Sequence, residues 1–380
     1  MWGAALFAYI ITVLHRTSFG VSGVAAAERY TVPPDQLSAF VFLQIAVYLA
    51  MQIPAGLLLD RWGSRALLAV GSFIMAAGQG MLAFSTSLPG ALTARTIVGM
   101  GDALVFVAAI ALLPRWFSGK RIPLLTQITA MTGQLGQILS AVPFLALLNG
   151  AGWAPAFSGA AALGVLAGVV VVVVVRNSPT GEWERAESMS ASEIRQRLLE
   201  VWRRPGTRLS FFAHMGTHFS GIVFALMWGV PYLVQGQALT LRQASVLMSL
   251  FVVSSLLVGP VMGVLTSRHP LRRSWLVLAV IAATAVMWTV VLLQTEPAPM
   301  WLLVVLVVVL SAGPPGSVVG FDFARTANPS MSFGLAQSLV NSGGFLATLI
   351  VLQASRYSCF AVRSAGKWQS KGSSPVDSGS

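Results

Sequence analysis

Charge is what this sequence has least of. Only 9% of its 380 residues are Asp, Glu, Lys or Arg, against about 25% in an ordinary soluble domain. With 56% of the chain hydrophobic, so little charge cannot cover a water-facing surface, which excludes a soluble globular fold and implies an integral membrane protein. Acids are scarcer than bases, 12 against 24, for a net charge of +12. The bases are scattered over short loops and one connector, with no compact basic domain, so nucleic acid is excluded as a partner. Cysteine is nearly absent: Cys359 stands alone, which excludes an internal disulfide framework. No Ser-His-Asp constellation, nucleotide loop or metal-cluster spacing occurs, and the Gly-x-Gly at 99–101 lies inside an apolar run. No enzyme, cofactor or metal is expected. The first apolar run has no charged leader and no cleavage site, so it reads as a retained membrane helix. It begins almost at Met1, and the start of the polypeptide reads as trimmed.

What is present is a series of apolar runs. A hydrocarbon core of about 30 Å needs roughly 20 apolar residues per helix. Such runs cover 2–24, 38–59, 66–85, 89–114, 122–149, 153–175, 209–235, 242–266, 274–294, 299–320 and 331–354. The fold class is therefore an all-α polytopic membrane protein: a six-helix N-terminal bundle (1–175), a cytoplasmic linker (176–208), a five-helix C-terminal bundle (209–354) and a polar tail (355–380). Charged residues crowd the linker, where a short surface helix is expected around 190–203. With the N-terminus inside, Arg61, Arg65, Arg115, Lys120, Arg121, the linker arginines, Arg268, Arg272, Arg273 and Arg325 share one side. The opposite loops hold mainly Glu28, Arg29, Asp35, Arg242 and Glu296. This bias sets the orientation with the N-terminus inside a plasma (cytoplasmic) membrane. The tail carries Arg356, Arg363, Lys367 and Lys371 and forms no twelfth span, so the six-plus-five count reads as loss of a final helix by truncation or frame change; the alternative is a native eleven-helix protein.

Charged and polar residues inside the runs are the candidates for function, since a charge in a membrane helix costs about 2.5–3.5 kcal/mol on insertion scales. Arg95 and Asp102 are seven apart, hence on one helix face. Arg16 lies about two-thirds across the first run, and a guanidinium fork suits carboxylate or phosphate. Gln134 and Gln137 on the fifth run and Asn341 on the last offer neutral hydrogen bonds. His214 and His218, four apart, share a face and can carry protons or meet a substrate. Asp322 and Arg325 are spaced to pair, and Pro314-Pro315-Gly316 is expected to kink its helix. Between the second and third runs, Gly56-Leu-Leu-Leu-Asp60-Arg61-Trp-Gly63-Ser-Arg65 packs an acid, two arginines and two glycines into a turn. A degraded copy, with Gly263, Arg268 and Arg272 but Ser267 for the acid, follows about 207 residues later.

The first copy resembles the loop motif of the major facilitator superfamily, Gly, apolar residues, Asp-Arg, then Gly-Arg, carried here by Gly56, Asp60, Arg61, Gly63 and Arg65. The run from Arg95 through Gly99 and Gly101 to Asp102 is similar to that family's fourth helix, and His15 to Gly20 with Tyr48 and Gln52 to Gly56 resembles its anion:cation symporter branch. The drug-antiporter signature on the fifth helix is absent. The resemblance implies two bundles about a central cavity and alternating access. It implies a monomeric secondary transporter moving a small-molecule substrate, an organic or inorganic anion, coupled to protons. Arg16, Arg95, Gln134, Gln137, His218 and Asn341 are the substrate candidates; Asp102, His214 and His218 are the proton-coupling candidates. Gly56, Asp60, Arg61, Gly63, Arg65, Gly263, Arg268 and Arg272 are the candidates for the moving loops. Two alternatives stand beside this reading: efflux of an amphipathic compound, and a truncated membrane protein without transport.

Overall fold

The structure, a computed structural model, describes residues 1–31, 34–179 and 190–371. Helices dominate it from one end to the other, and no strand occurs among the described residues. In chain order they are α1 (Trp2–Val21), α2 (Gly23–Tyr30), α3 (Pro34–Ala50), α4 (Gln52–Phe84), α5 (Leu88–Trp116), α6 (Ile122–Leu139), α7 (Leu145–Ala151) and α8 (Trp153–Val174). Then follow α9 (Ala191–Arg203), α10 (Pro205–Val223), α11 (Gly229–Pro231), α12 (Leu241–Arg268), α13 (Arg273–Leu292), α14 (Met300–Ser311), α15 (Gly313–Ala327) and α16 (Phe333–Lys371). Nine helices among the described residues are long and apolar enough to cross a membrane.

The apolar runs map onto these helices with several local departures. The second run is divided at Met51 between α3 and α4, and α4 holds two helical segments that meet at a kink in the motif loop. Gly63 makes the kink with φ 80° and ψ 172°, a conformation that side chains with a Cβ scarcely adopt. The run at 209–235 is interrupted by π turns at Phe224–Trp228 and Tyr232–Gly236, on either side of α11. Single π turns relax the hydrogen-bond ladder within a helix. Pro143 sits in a third such turn, Ser140–Phe144, where its missing N–H is absorbed. Proline starts α10 and opens α15, where the N–H it lacks has no intrahelical acceptor anyway.

The surface helix expected in the linker is α9, one residue shorter than 190–203. Ser190 caps it: its Oγ accepts from the Glu193 N–H and Glu193 Oε2 accepts from the Ser190 N–H at 2.6 Å, a reciprocal box. The Ser190 hydroxyl and the Ser190 N–H, both donating to Glu193 Oε2, hold the exposed Glu193 carboxyl below its ordinary range. Glu182, Glu184, Arg185 and Glu187 lie outside the described residues, as does the tail beyond Lys371. The helix of the last run extends past Ala354 as far as Lys371, so the first part of the tail continues the same helix.

Contacts between the helix ends sort the loops into two faces. On the motif face, Arg65 donates to Val172 O at 2.7 Å, Trp116 to Arg176 O at 3.2 Å and Asn328 to Thr207 Oγ1 at 2.9 Å. On the opposite face, Arg29 donates to Ser85 O at 2.9 Å and the Ala298 N–H to Gln237 Oε1 at 2.8 Å. Between the faces, large apolar side chains point outward, with Val173 77%, Trp275 71% and Leu257 68% exposed. A soluble monomer rarely presents such a belt, whereas lipid solvates it. Inside, the largest core cluster draws on α1, α4, α5 and α8, and it continues through Phe321 on α15 into Leu335, Ala336 and Val340 on α16. The halves are thus packed together near the motif face. The association rests on close backbone approach, as membrane helices require.

Candidate functional site

Three buried polar side chains, Asp102, Arg95 and Gln79, converge on the His15–Arg16 turn of α1. Arg16 donates from Nε to Asp102 Oδ2 and from a terminal nitrogen to Asp102 Oδ1, both at 2.7 Å. This is a two-pronged match of guanidinium and carboxylate, the strongest geometry for such a pair. Asp102 is closed off, with 2% of its side chain exposed, while Arg16 keeps 29%. A cation so placed in an apolar helix is tolerated because it is paired with a carboxylate and keeps part of its side chain open to a recess between the helices. The Arg16 guanidinium also stands 5.4 Å from the centre of the Tyr48 ring, within cation–π range.

Arg95 reaches the same turn of α1 differently. It is 1% exposed and donates to His15 O at 3.3 Å and Arg16 O at 3.0 Å, and it bonds Gln44 Oε1. The expectation that Arg95 and Asp102 share a face is met in this sense: one grips the α1 backbone, the other the Arg16 side chain. Arg95 is turned away from the recess. Gln79 adds a bond to His15 O at 3.0 Å, and His15 ties α1 to Ala160 O at 2.8 Å. These residues fix the position of Arg16; nothing in the periodicity of the sequence marks Gln44, Gln79 or Ala160 for that task.

Opposite Arg16, Asn341 on α16 donates to Tyr48 OH at 2.7 Å and to Gln52 Oε1 at 3.0 Å. It is 2% exposed and joins the two halves across the membrane interior. His214 and His218 stack with their centroids 4.8 Å apart. A chain of ring contacts encloses the floor of the recess: Tyr48–Phe345, Phe345–His218, His218–His214, His214–Phe321, Phe321–Phe106 and Phe106–Tyr9, with centroids 4.6–5.6 Å apart. Phe345, Phe321 and Phe106 carry no polar atom, so a search for charged residues misses them. On α6, Gln134 is half-buried and Gln137 exposed. Neighbouring Gly133 and Gly136 pack on Tyr9 and the Ile10 carbonyl of α1.

The two loop motifs lie on the motif face. Asp60 accepts from the N–H groups of Gly334 at 2.7 Å and Leu335 at 3.1 Å, at the first turn of α16. There it satisfies unpaired helix donors and meets the positive end of the helix dipole. Gly56 is required because a Cβ there would come 2.7 Å from Leu335 Cα. Gly263 is its counterpart on α12, where a Cβ would come 2.8 Å from Leu124 Cα at the start of α6. The first glycines of both copies therefore mark two places where helices of opposite halves cross closely. Arg65 reaches the C-terminal end of α8 through Val172 O, and its N–H is held by Asn177 Oδ1 at 2.8 Å. Arg61, Arg268 and Arg272 are exposed. In the second copy, Ser267 turns back to Val264 O, and Pro123 beside Leu124 has no N–H to offer. Asp322 and Arg325 pair as their spacing predicts, at 2.6 Å, and Arg273 joins them as a second partner of Asp322.

These features, long apolar helices crossing at repeated glycines beside a buried arginine–carboxylate pair, define a multi-pass helical membrane protein. The chain belongs to the Major Facilitator Superfamily, which it matches over residues 5–348. It is 24% identical over 279 residues to a "Probable sulfoacetate transporter" of Cupriavidus necator, an overlap covering 70% of this chain and 64% of that one. It is 23% identical over 251 residues to a "Probable L-galactonate transporter" of Escherichia coli, covering 63% of this chain and 55% of that protein. The chain thus spans somewhat more than half the length of these relatives. Both relatives carry the names of transporters, and neither is named as an enzyme.

Proposed function

We propose that this protein is a secondary transporter for a small organic anion, bound through its carboxylate or sulfonate at Arg16. The observation that carries the reading is the part-exposed Arg16 guanidinium, held in a two-pronged bond by the buried Asp102. An incoming oxyanion competes with Asp102 for the same forked donor. When it wins, the Asp102 carboxylate loses its counter-charge in a dry setting and takes up a proton, since an isolated buried carboxylate is far costlier than a neutral acid. Anion and proton then travel together. The names of the two relatives, both small organic anions, support this class of substrate.

The transport step is the rocking of the two bundles (1–175 and 209–354) about Arg16, with the linker joining them on one side. The charge bias puts the motif face in the cytoplasm and the N-terminus inside a cytoplasmic membrane, where the protein works as a monomer. Purified protein in liposomes provides the test. Arg16→Gln should reduce uptake of every small organic anion at least about tenfold, the loss expected when a charged hydrogen-bond partner disappears. Arg16→Lys, a point charge without the fork, should retain part of the activity. Unchanged uptake by Arg16→Gln would place the anion elsewhere. For coupling, Asp102→Asn should abolish the dependence of uptake on a proton gradient while leaving exchange of substrate for substrate. Gradient-driven uptake in that variant would remove Asp102 from the proton path.

A further inference from the structure

The histidine pair on α10 has a fixed hydrogen-bond sense. His214 Nδ1 lies 2.9 Å from Ser317 O. A carbonyl only accepts, so Nδ1 carries the proton. His218 Nδ1 lies 3.3 Å from Ser317 Oγ. That hydroxyl already gives its one proton to Pro314 O at 2.7 Å, so it can only accept, and His218 is also protonated at Nδ1. Each neutral ring is thereby left with a bare Nε2 lone pair. Both Nε2 atoms are buried, and neither has a hydrogen-bond partner among the described residues. Gly344 lies against both ring edges: a Cβ there would come 2.9 Å from His214 Nε2 and 2.7 Å from His218 Cδ2.

Two unmatched acceptors side by side call for donors, because a buried acceptor left unpaired is costly. A cation is the wrong donor. The two rings, 4.8 Å apart, would repel each other if both were charged. A neutral O–H meets the lone pairs without adding charge. The same wall leads from the Arg16 site to the histidines, through Tyr48, Phe345 and His218, with ring contacts of 4.6 and 5.3 Å. An anion held at Arg16 can therefore extend its far end along this wall.

We infer that His214 and His218 form an acceptor subsite for hydroxyl groups, which makes the preferred substrate a hydroxylated organic acid with its anionic end at Arg16. This rests on the Arg16 reading above and adds to it the chemistry of the other end. The unpaired Nε2 atoms mark the state without substrate, in which the Gly344 backbone packs against the ring edges; a hydroxyl reaches them when α16 draws back.

Calorimetric titration of the full chain in detergent tests it, with gluconate and hexanoate as probes of equal carbon number. The wild type should bind gluconate at least about tenfold more tightly than hexanoate, since a site built for a hydroxyl discriminates against its absence. His218→Phe keeps the ring and removes the acceptor; it should erase the preference by weakening gluconate binding toward that of hexanoate. His218→Gln, which places an amide oxygen near the Nε2 position, should keep most of it. Ser317→Ala should weaken the preference by freeing the His218 tautomer, and it serves if His218→Phe fails to fold. Equal binding of the two acids by the wild type, or a preference that survives in both His218→Phe and Ser317→Ala, overturns the subsite. A different result, Arg16→Gln binding hexanoate as well as the wild type does, overturns the anion site instead.

Discussion

Arg95 is the residue whose role differs most from what its chemistry suggests in isolation. It is a membrane-embedded cation, yet at 1% exposure it has no face toward the recess. Its guanidinium goes to two α1 carbonyls and to Gln44, and it lies over the Phe19 ring at 5.2 Å. In the proposed site it acts through Arg16, as a positioning residue. Replacing it removes the charge from hydrogen bonds to two carbonyls and to Gln44, each worth about 1.5–3 kcal/mol when charge-assisted. Arg95→Gln is therefore expected to lower the thermal-unfolding midpoint in detergent by on the order of 5 °C. By contrast, Arg16→Gln, at a part-exposed position whose partner can take a proton, should lower transport with a smaller change in midpoint. The two midpoints, measured side by side, check the assignment, and equal shifts would contradict it. Gly63 poses a similar question of local cost. At φ 80° with the Asn177 side chain 2.5 Å from the place of a Cβ, Gly63→Ala strains both backbone and packing.

The helix pairs explain why one loop motif is intact and the other degraded. On α4 the acid at position 60 meets two donors at the start of α16. On α12 the acid is missing, and so is one donor, because Pro123 stands at the matching start of α6. The loss is reciprocal: an acid at Ser267 would meet fewer donors. Asp60→Asn removes the charge from two bonds, each worth about 1.5–3 kcal/mol when charge-assisted. It should cut transport at least about tenfold, whereas Ser267→Ala, which loses only a bond within its own helix to Val264 O, should stay within about twofold. Initial uptake rates decide the matter, and equal losses would deny the asymmetry any functional weight. Likewise, a bulky residue at Gly56 or Gly263 should impair transport at either site, because both glycines stand where backbones cross.

For the whole molecule, the contacts between halves describe a state closed on the motif face. Asp60 to α16, Gln127 Nε2 to Pro315 O at 2.7 Å, and Asn341 to Tyr48 and Gln52 all tie the first half to the second. Asn341→Leu removes the deepest of these ties and leaves Gln52 without that partner. It should shift the population toward a state open on the motif face. Cysteine probes in a Cys359→Ser background, labelled from either side, read that shift as faster modification near Thr126. Unchanged labelling would show that Asn341 does not hold the halves together. Orientation is testable in the same preparation: a reporter inserted at Ser190 should lie in the cytoplasm, and one at Ser87 outside.

The sequence by itself determined that the chain is helical, membrane-embedded and repeated. The physical reason is that lipid enforces a one-dimensional code: runs of about 20 apolar residues, bases on one side, glycine where helices cross. It also marked Arg16, Asp102, Asn341 and the Asp60 loop, because a polar group in lipid is expensive enough to stand out. Only the tertiary structure decided who meets whom. It gave Asp102 to Arg16 across 86 residues and turned Arg95 to the α1 backbone. It chose Arg273 as well as Arg325 for Asp322 and used Ser317 to set two histidine tautomers. Such pairings depend on helix rotation and depth, which residues far apart in the chain fix jointly and no local spacing records.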